Sequence, residues 1–254
     1  MLCDNLISSI KNSKVSLLRS LSEKENRDAL GLYLAEGFNL IKDLKNTELA
    51  TDVFIRESEK EKFCPILEKK YKITLLSSEV FSRVSSTENS TGVISIVKKA
   101  DPKPLSGSIV VVLDGIRDPG NMGTIIRTAV AVGILDIVAI DSVDFYNNKT
   151  VRASMGGIFY INPVVIDRSN LSSYLNGYDI AILDMNGSNI YDFNPPEKLV
   201  IVVGSEAHGI SNEFKNLAKH SISIPMYNNN IESLNAAVSM SIALSQIKNA
   251  FKSH

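Results

Sequence analysis

The stretch DGIRDPGNMGTIIRTA, Asp114 to Ala129, follows directly on the apolar run SIVVVL, residues 108–113. Three glycines and a proline break the chain where a buried strand should end, and helical spacing resumes after them. On a helical wheel Asn121, Thr124, Arg127, Thr128 and Ala131 share one face, while Met122, Ile125, Ile126, Ala129, Val130 and Val132 share the other. The spacing predicts a strand, a sharp turn and a helix near 122–133 that presents Asn121 and Arg127 at the strand's carboxyl end. In open α/β sheets that edge is where ligands bind.

Two phosphate-binding patterns fail here. A P-loop requires Lys and then Ser or Thr where this chain has Asn121 and Met122. A dinucleotide fingerprint requires GxGxxG, whereas these glycines stand at 115, 120 and 123.

Outward from this unit, LDIVAID, YINPVVI, YDIAILD, KLVIVVG and SISIP read as further strands, with helices near 150–156, 211–218 and 233–250. Apolar runs without alternation imply strands buried on both faces, hence a parallel sheet between helices. Two more polar islands close strands in this half. VVGSEAHGIS, residues 202–211, carries Glu206. SIPMYNNNIESLNAAVSMSIALSQI, residues 223–247, enters a helix whose first turn is expected to carry Ser233 and Asn235. Glu206 as a helix-cap carboxylate and Ser233 as an N-cap would each account for one island. Three polar loops at the ends of three parallel strands point instead to a shared site.

Upstream, NLISSI, VSLLRSL, GFNLIKDLKN and, apart from Pro65, SEKEKFCPILEKKY have helical spacing; YLAE, DVFIRE, KITLLS and GVISIVKK have strand composition. Residues 1–100 are expected to form a small α/β domain with a mixed or parallel sheet. KKADPKPLSGS, residues 98–108, with two prolines, a glycine and three lysines, has linker composition, and residues 101–107 are read as the linker to a second domain of residues 108–254.

No apolar run approaches the length of a membrane span, and the N-terminus lacks the pattern of a secretion signal, so a soluble cytoplasmic protein is expected. Cys3 and Cys64 have no metal-ligand spacing and read as reduced thiols, Cys64 buried, with no metal site. The formal net charge is -1. The first 104 residues hold 17 cations and 15 anions, the remainder 10 and 13. Such a balance neither supports nor excludes a nucleic-acid partner. Lys11, Lys14, Arg19, Lys24 and Arg27 form a basic run interleaved with Glu23, Glu25 and Asp28, either a solvated face or a set of phosphate contacts.

Taken in order, NMGTIIRTAVAVG, VVGSEAHGIS and SIPM with ESLNAAVS resemble the three motifs of the SpoU-type (TrmH-like) RNA 2'-O-ribose methyltransferases of the SPOUT superfamily. RASMGGIFYINPV, residues 152–164, is similar to a further segment of that family. NRDALGLYLAEGFNLIKDL, residues 26–44, with TGVISIVKK resembles the small ribosomal-protein-like α/β substrate-binding domain that many members carry in front.

The resemblance implies a parallel-sheet domain closed by a deep trefoil knot that holds S-adenosylmethionine, in a homodimer with the active site near the interface. Carried over residue by residue, Arg127 meets the target ribose and phosphate and Asn121 shapes that site. Glu206 is the motif-two glutamate, and Ser233 and Asn235 orient substrate and cofactor. Val203, Gly204, Ile224, Met226 and Leu234 line the cofactor pocket, and Arg19, Lys24 and Arg27 are RNA contacts of the front domain. Guanidinium groups stay protonated in proteins, so the role expected of Arg127 is to position phosphate and stabilise a developing alkoxide. His208 stands at a variable loop position, as an alternative base or a tolerated residue. MYNNNIESL departs from the pattern by one added residue and by asparagines in place of glycine. The front domain favours 23S rRNA as substrate over tRNA; a catalytically idle RNA-binding or ribosome-assembly protein is the reading from another class.

Overall fold

The computed structural model describes residues 5–227 and 230–252. Cys3 and the Asn228–Asn229 part of the third island lie outside the described residues. The chain divides into two compact units, one running up to Ala100 and including Tyr146–Phe159, the other holding Asp101–Phe145 and the chain from Tyr160 onward.

The first unit contains β1 (Leu6–Ile7), α1 (Ser13–Ser20), α2 (Lys24–Leu30), β2 (Leu32–Glu36), α3 (Phe38–Lys42), β3 (Ala50–Arg56), α4 (Lys60–Leu67), β4 (Ile73–Leu76), α5 (Ser78–Val84) and β5 (Val93–Lys98). Its sheet order is β1-β4-β3-β5-β2. The β1–β4 and β4–β3 pairs are parallel and the β3–β5 and β5–β2 pairs antiparallel, so the sheet is mixed. The helical spacing of NLISSI does not prevail. Leu75 N donates to Asn5 O at 2.8 Å and Ser77 N to Ile7 O at 3.0 Å, making Leu6–Ile7 an edge strand. Sheet pairing outweighs a helical preference that a six-residue run cannot sustain alone.

Tyr146–Phe159, expected in the second domain, packs instead with this first unit. The Tyr146 ring lies 4.7 Å from that of Tyr33, and its hydroxyl accepts from Ala100 N at 3.1 Å. Cys64 is buried in the first unit's core.

The second unit begins with β6 (Ile109–Asp114), α6 (Pro119–Ala131) and β7 (Asp136–Ile140). After α7 (Asn148–Ala153), which belongs to the first unit, it continues with β8 (Asn162–Val165), α8 (Leu171–Tyr174), β9 (Asp179–Asn189), β10 (Leu199–Gly204), α9 (Asn212–Leu217), β11 (His220–Ser223) and α10 (Ala236–Lys252). Six strands align parallel in the order β11-β9-β10-β6-β7-β8. Every residue of β6, β7 and β10 is buried, as strands covered on both faces require. The segment read as a linker is tied into this unit. Asp136 accepts from Ser106 N at 3.0 Å and Gly107 N at 2.7 Å, while Asn162 exchanges hydrogen bonds with the Lys103 backbone. Among the described residues no helix is long and apolar enough to cross a membrane.

Candidate active site

The opening stretch folds as its sequence dictates. β6 ends at Asp114, and Gly115, at φ +75°, turns the chain in a left-handed conformation open to glycine. Asp118 caps α6 by accepting from Asn121 N at 2.8 Å, and Pro119 occupies the first turn, where its missing N–H is harmless. Met122, Ile125, Ile126 and Ala129 are buried, whereas Arg127 is exposed. Among the described residues the Arg127 guanidinium has no hydrogen-bond or ion-pair partner.

The second island closes tightly. Gly209 N donates to Ser205 O at 2.9 Å, and His208 N to Ser205 Oγ at 3.1 Å, so residues 205–209 fold back on themselves. A Cβ on Gly204 would stand 2.2 Å from the Gly209 backbone, which is why only glycine fits there. His208 itself is exposed.

In the third island the expected first turn is corrected. α10 starts at Ala236, and Asn235 is its cap, its Oδ1 accepting from Ala237 N at 2.9 Å and Val238 N at 3.2 Å. Ser233 therefore lies in the preceding loop. Asn235 wins the cap position because its side-chain oxygen satisfies two amides that lack helical partners.

The islands converge. Val203, Gly204, Ile224, Met226 and Leu234, together with Glu206 and Ser233, line one cavity of about 440 Å³. Beside it runs a side-chain chain: Asn121 Nδ2 donates to Glu206 Oε1, and Asn235 Nδ2 donates to Asn121 Oδ1 at 3.1 Å. Arg127 is not among the cavity's lining residues and stands farther along the exposed face of α6. Thr128 Oγ1 and Ser241 Oγ, 3.0 Å apart, link α6 to α10.

Sequence reading missed part of the lining. Asp184, Met185 and Asn186 contribute from β9, which runs past the predicted YDIAILD because Gly187 lets it approach β11 closely: a Cβ there would lie 2.5 Å from Ile222 N. Lys215 and Glu232 complete the charged lining, and three carboxylates, Asp184, Glu206 and Glu232, face one ammonium.

A partly buried ion pair braces the sheet edge. Asp114, only 3% exposed, accepts from Arg168 at 2.9 Å and from Ser211 N at 2.8 Å. Arg168 also donates to Asp141 at 2.7 Å and to Ser211 Oγ at 2.8 Å. Burial disfavours the guanidinium charge, but the hydrogen bonds to Asp141 and Asp114 outweigh it and raise its pKa above the ordinary range. The network ties β6 and β7 to the start of α9 and so anchors the far end of the 205–209 turn. Nothing in the spacing of Asp114 and Arg168 foretells it.

In the first unit Arg19 and Lys24 are exposed, Lys24 paired with Asp28. Arg27 is corrected from an RNA contact to a structural residue. It is 3% exposed, and its guanidinium donates to Leu21 O at 2.9 Å and Ser22 O at 2.7 Å. No cluster of metal-ligating side chains occurs among the described residues.

A parallel α/β unit in which the end of β9 and the loops after β10 and β11 build one acid-lined cavity at the carboxyl edge of the sheet defines a small-molecule binding site. The sequence profile of the SpoU rRNA Methylase family matches residues 108–245, and that of the MRM3-like substrate binding domain matches residues 12–95. The chain belongs to the SpoU rRNA methylase family. It is 30% identical over 252 residues to the 23S rRNA (guanosine(2553)-2'-O)-methyltransferase RlmP of Bacillus subtilis (strain 168), covering 95% of this chain and 98% of that protein. A 23S rRNA (adenosine(1067)-2'-O)-methyltransferase of Streptomyces laurentii is 37% identical over 68% of each chain. Among solved structures, an AdoMet-bound rRNA methyltransferase from Sinorhizobium meliloti superposes with a TM-score of 0.82 at 25% identity, over 98% of both chains.

Proposed function

We infer that this protein transfers a methyl group from S-adenosylmethionine to a ribose 2'-hydroxyl of RNA, with 23S rRNA as the substrate. One observation carries the reading: residues from the second and third islands line one cavity, and the Glu206–Asn121–Asn235 chain ties the first island to its wall. The full-length likeness to RlmP supports the choice of rRNA.

The cavity fits the cofactor. Its volume suits one small molecule. Its carboxylates suit a ligand bearing a sulfonium and an ammonium, Lys215 suits a carboxylate, and Val203, Ile224, Met226 and Leu234 offer apolar surface. S-adenosylmethionine, when bound, supplies an electrophilic methyl group. Gly204 gives the backbone close access to the cavity, and Glu206 and Ser233 sit on its wall. Asn121 and Asn235 hold Glu206 in one orientation. Arg127, without a partner among the described residues, positions the RNA phosphate and stabilises negative charge developing on the ribose oxygen. Alignment of oxygen and methyl in this way is worth up to about 7–11 kcal/mol in well-oriented cases.

In this reading the carboxyl-terminal strands thread as a deep trefoil knot, a rare exception to unknotted topology. Support comes from β11 joining the sheet outside β9, after which α10 returns to pack on α6. The protein works as a homodimer in the cytoplasm; exposed Met185, Tyr227, Ile231 and Val238 supply apolar surface for a second copy near the site. Residues 1–100 capture RNA, residues 101–107 lead into the methylase domain, and Arg19 and Lys24 are phosphate contacts.

The test is a map of ribose methylation across all rRNA and tRNA in cells with and without the protein. One lost mark in 23S rRNA is expected. A lost tRNA mark would reassign the substrate, and no lost mark would favour an idle binder.

A further inference from the structure

The first unit holds a second cavity, of about 440 Å³, lined by Glu36, Gly37, the loop Thr87–Thr91 and Arg152. Glu36 is 9% exposed and serves as its organiser. Its carboxylate accepts from Ser85 Oγ at 2.5 Å, Ser86 N at 2.9 Å, Ser86 Oγ at 2.6 Å and Thr87 Oγ1 at 3.2 Å. Burial would push this carboxyl up, but the hydrogen bonds from Ser85, Ser86 and Ser90 outweigh it and hold it below the ordinary range. Phe38 N donates to Thr91 Oγ1 at 3.1 Å and Gly92 N to Ser90 Oγ at 3.2 Å, which pins the loop's far end. The loop is thus shaped in advance, with the Glu36 charge already satisfied.

What remains for a ligand is specific. Arg152 donates to Ser86 Oγ at 3.2 Å through one of its N–H groups and has others to offer. Asn89 is exposed on the loop, and Thr87 and Thr91 flank it. These groups supply donors and acceptors without an aromatic platform, which suits reading of an edge rather than stacking. Glu88 is the one exposed carboxylate of the lining.

The charge distribution agrees. Tyr146–Phe159, which brings Arg152, adds Lys149 and Arg152 and no acid. With that segment the first unit has 18 cations against 14 anions, and the second 9 against 14. The basic excess sits with the unit that holds this cavity.

We propose that this cavity is a binding subsite for one unpaired nucleotide of the RNA substrate, with Arg152 on its phosphate and Asn89, Thr87 and Thr91 on its base and sugar edges. The proposal rests on the RNA methyltransferase reading, and it gives a residue from within the methylase-profile sequence a role in substrate capture.

The test uses the full-length protein and an unmodified 23S rRNA transcript. Steady-state methylation, salt-dependent RNA binding and calorimetry with S-adenosylmethionine are measured for the parent, Asn89→Ala, Arg152→Ala and Arg152→Lys. Asn89→Ala, on an exposed loop, should raise KM for RNA about fivefold to tenfold with kcat unchanged, as expected for lost uniform binding. Arg152→Ala should raise KM similarly and reduce the slope of log affinity against log salt by about 0.7–0.9, the value for one phosphate contact. Arg152→Lys should keep the slope. Cofactor affinity should be unchanged throughout. If the parent methylates the transcript while Asn89→Ala and Arg152→Ala match it in KM and slope, the subsite is overturned and the activity stands. A parent that neither binds nor methylates RNA overturns both.

Discussion

Asn235 Nδ2 donates to Asn121 Oδ1 at 3.1 Å across 114 residues of sequence, and Asn121 Nδ2 donates in turn to Glu206. One amide therefore joins the cap of α10 to the loop after β10, with its oxygen and nitrogen both committed. Cap, strand turn and helix α6 are held in one register by side chains that the sequence assigns to three motifs without showing that they bond to one another.

Asn121→Asp replaces the donor facing Glu206 by a second carboxylate oxygen. Like charges at contact distance repel, so Glu206 should swing from its position on the cavity wall. Methyl transfer is expected to fall about a hundredfold, in keeping with small misplacements at a reacting centre. Circular dichroism and thermal melting should remain near the parent. Unchanged activity would remove Asn121 from the site.

Arg127 offers the opposite case, an exposed side chain with no partner among the described residues. Arg127→Ala should change stability by no more than about 0.5 kcal/mol. Its methylation rate should nonetheless drop by two or more orders of magnitude, measured with saturating cofactor and RNA. Full activity in Arg127→Lys would end the assigned role, because an ammonium cannot reproduce the planar fork.

The fold of the second unit was legible because buried parallel strands leave uninterrupted apolar runs and because Asp118, Pro119 and Gly115 mark a strand-to-helix turn. The seven cavity residues were legible through motif resemblance, while Asp184, Asn186 and Lys215 were not, since they reach the cavity only through the extension of β9 and the placement of α9. Arg27 misled because a cation in a charged run reads as solvated, whereas here two backbone carbonyls at the end of the preceding segment draw it inside. Tyr146–Phe159 misled for a similar reason: sequence adjacency put it in one unit, and the Tyr33 ring and Ala100 amide put it in the other.

Arg27→Met keeps the volume but leaves the Leu21 and Ser22 carbonyls without this donor. The expected loss is about 1–3 kcal/mol of stability, the cost of unsatisfied buried acceptors. Denaturant titration measures it. RNA affinity of the folded fraction should match the parent, and a selective loss of RNA binding would restore the phosphate-contact reading.

Gly204 and Gly209 make a matched pair for testing backbone crowding. A Cβ at Gly204 would meet the Gly209 backbone at 2.2 Å, whereas Gly209, at φ +65°, has open space and only conformational strain to lose. Gly209→Ala is expected to cost about 1–2 kcal/mol. Gly204→Ala must push the 205–209 turn away from the cavity and should cost more, with S-adenosylmethionine binding by calorimetry weakened at least tenfold. Equal effects from the two substitutions would mean that the close approach does not shape the cavity.

Glu36 sets an acid limit on the first unit. Its carboxyl titrates below the ordinary value of 4.5 in the folded protein, because hydrogen bonds from Ser85, Ser86 and Ser90 outweigh the opposing effect of burial. A depressed folded pKa means that the unfolded chain takes up the proton first. The stabilisation is therefore complete above the unfolded value and is lost as pH falls through the folded one. Glu36→Gln should lower stability by about 1–3 kcal/mol at pH 7, the range for a buried charge-assisted network. The gap between parent and variant should hold from pH 7 to about pH 5.5 and narrow progressively below the ordinary 4.5, as urea midpoints at pH 7, 5.5, 4 and 3 would reveal. A gap that stays constant to pH 3 would show that the Glu36 charge does not hold the 85–91 loop.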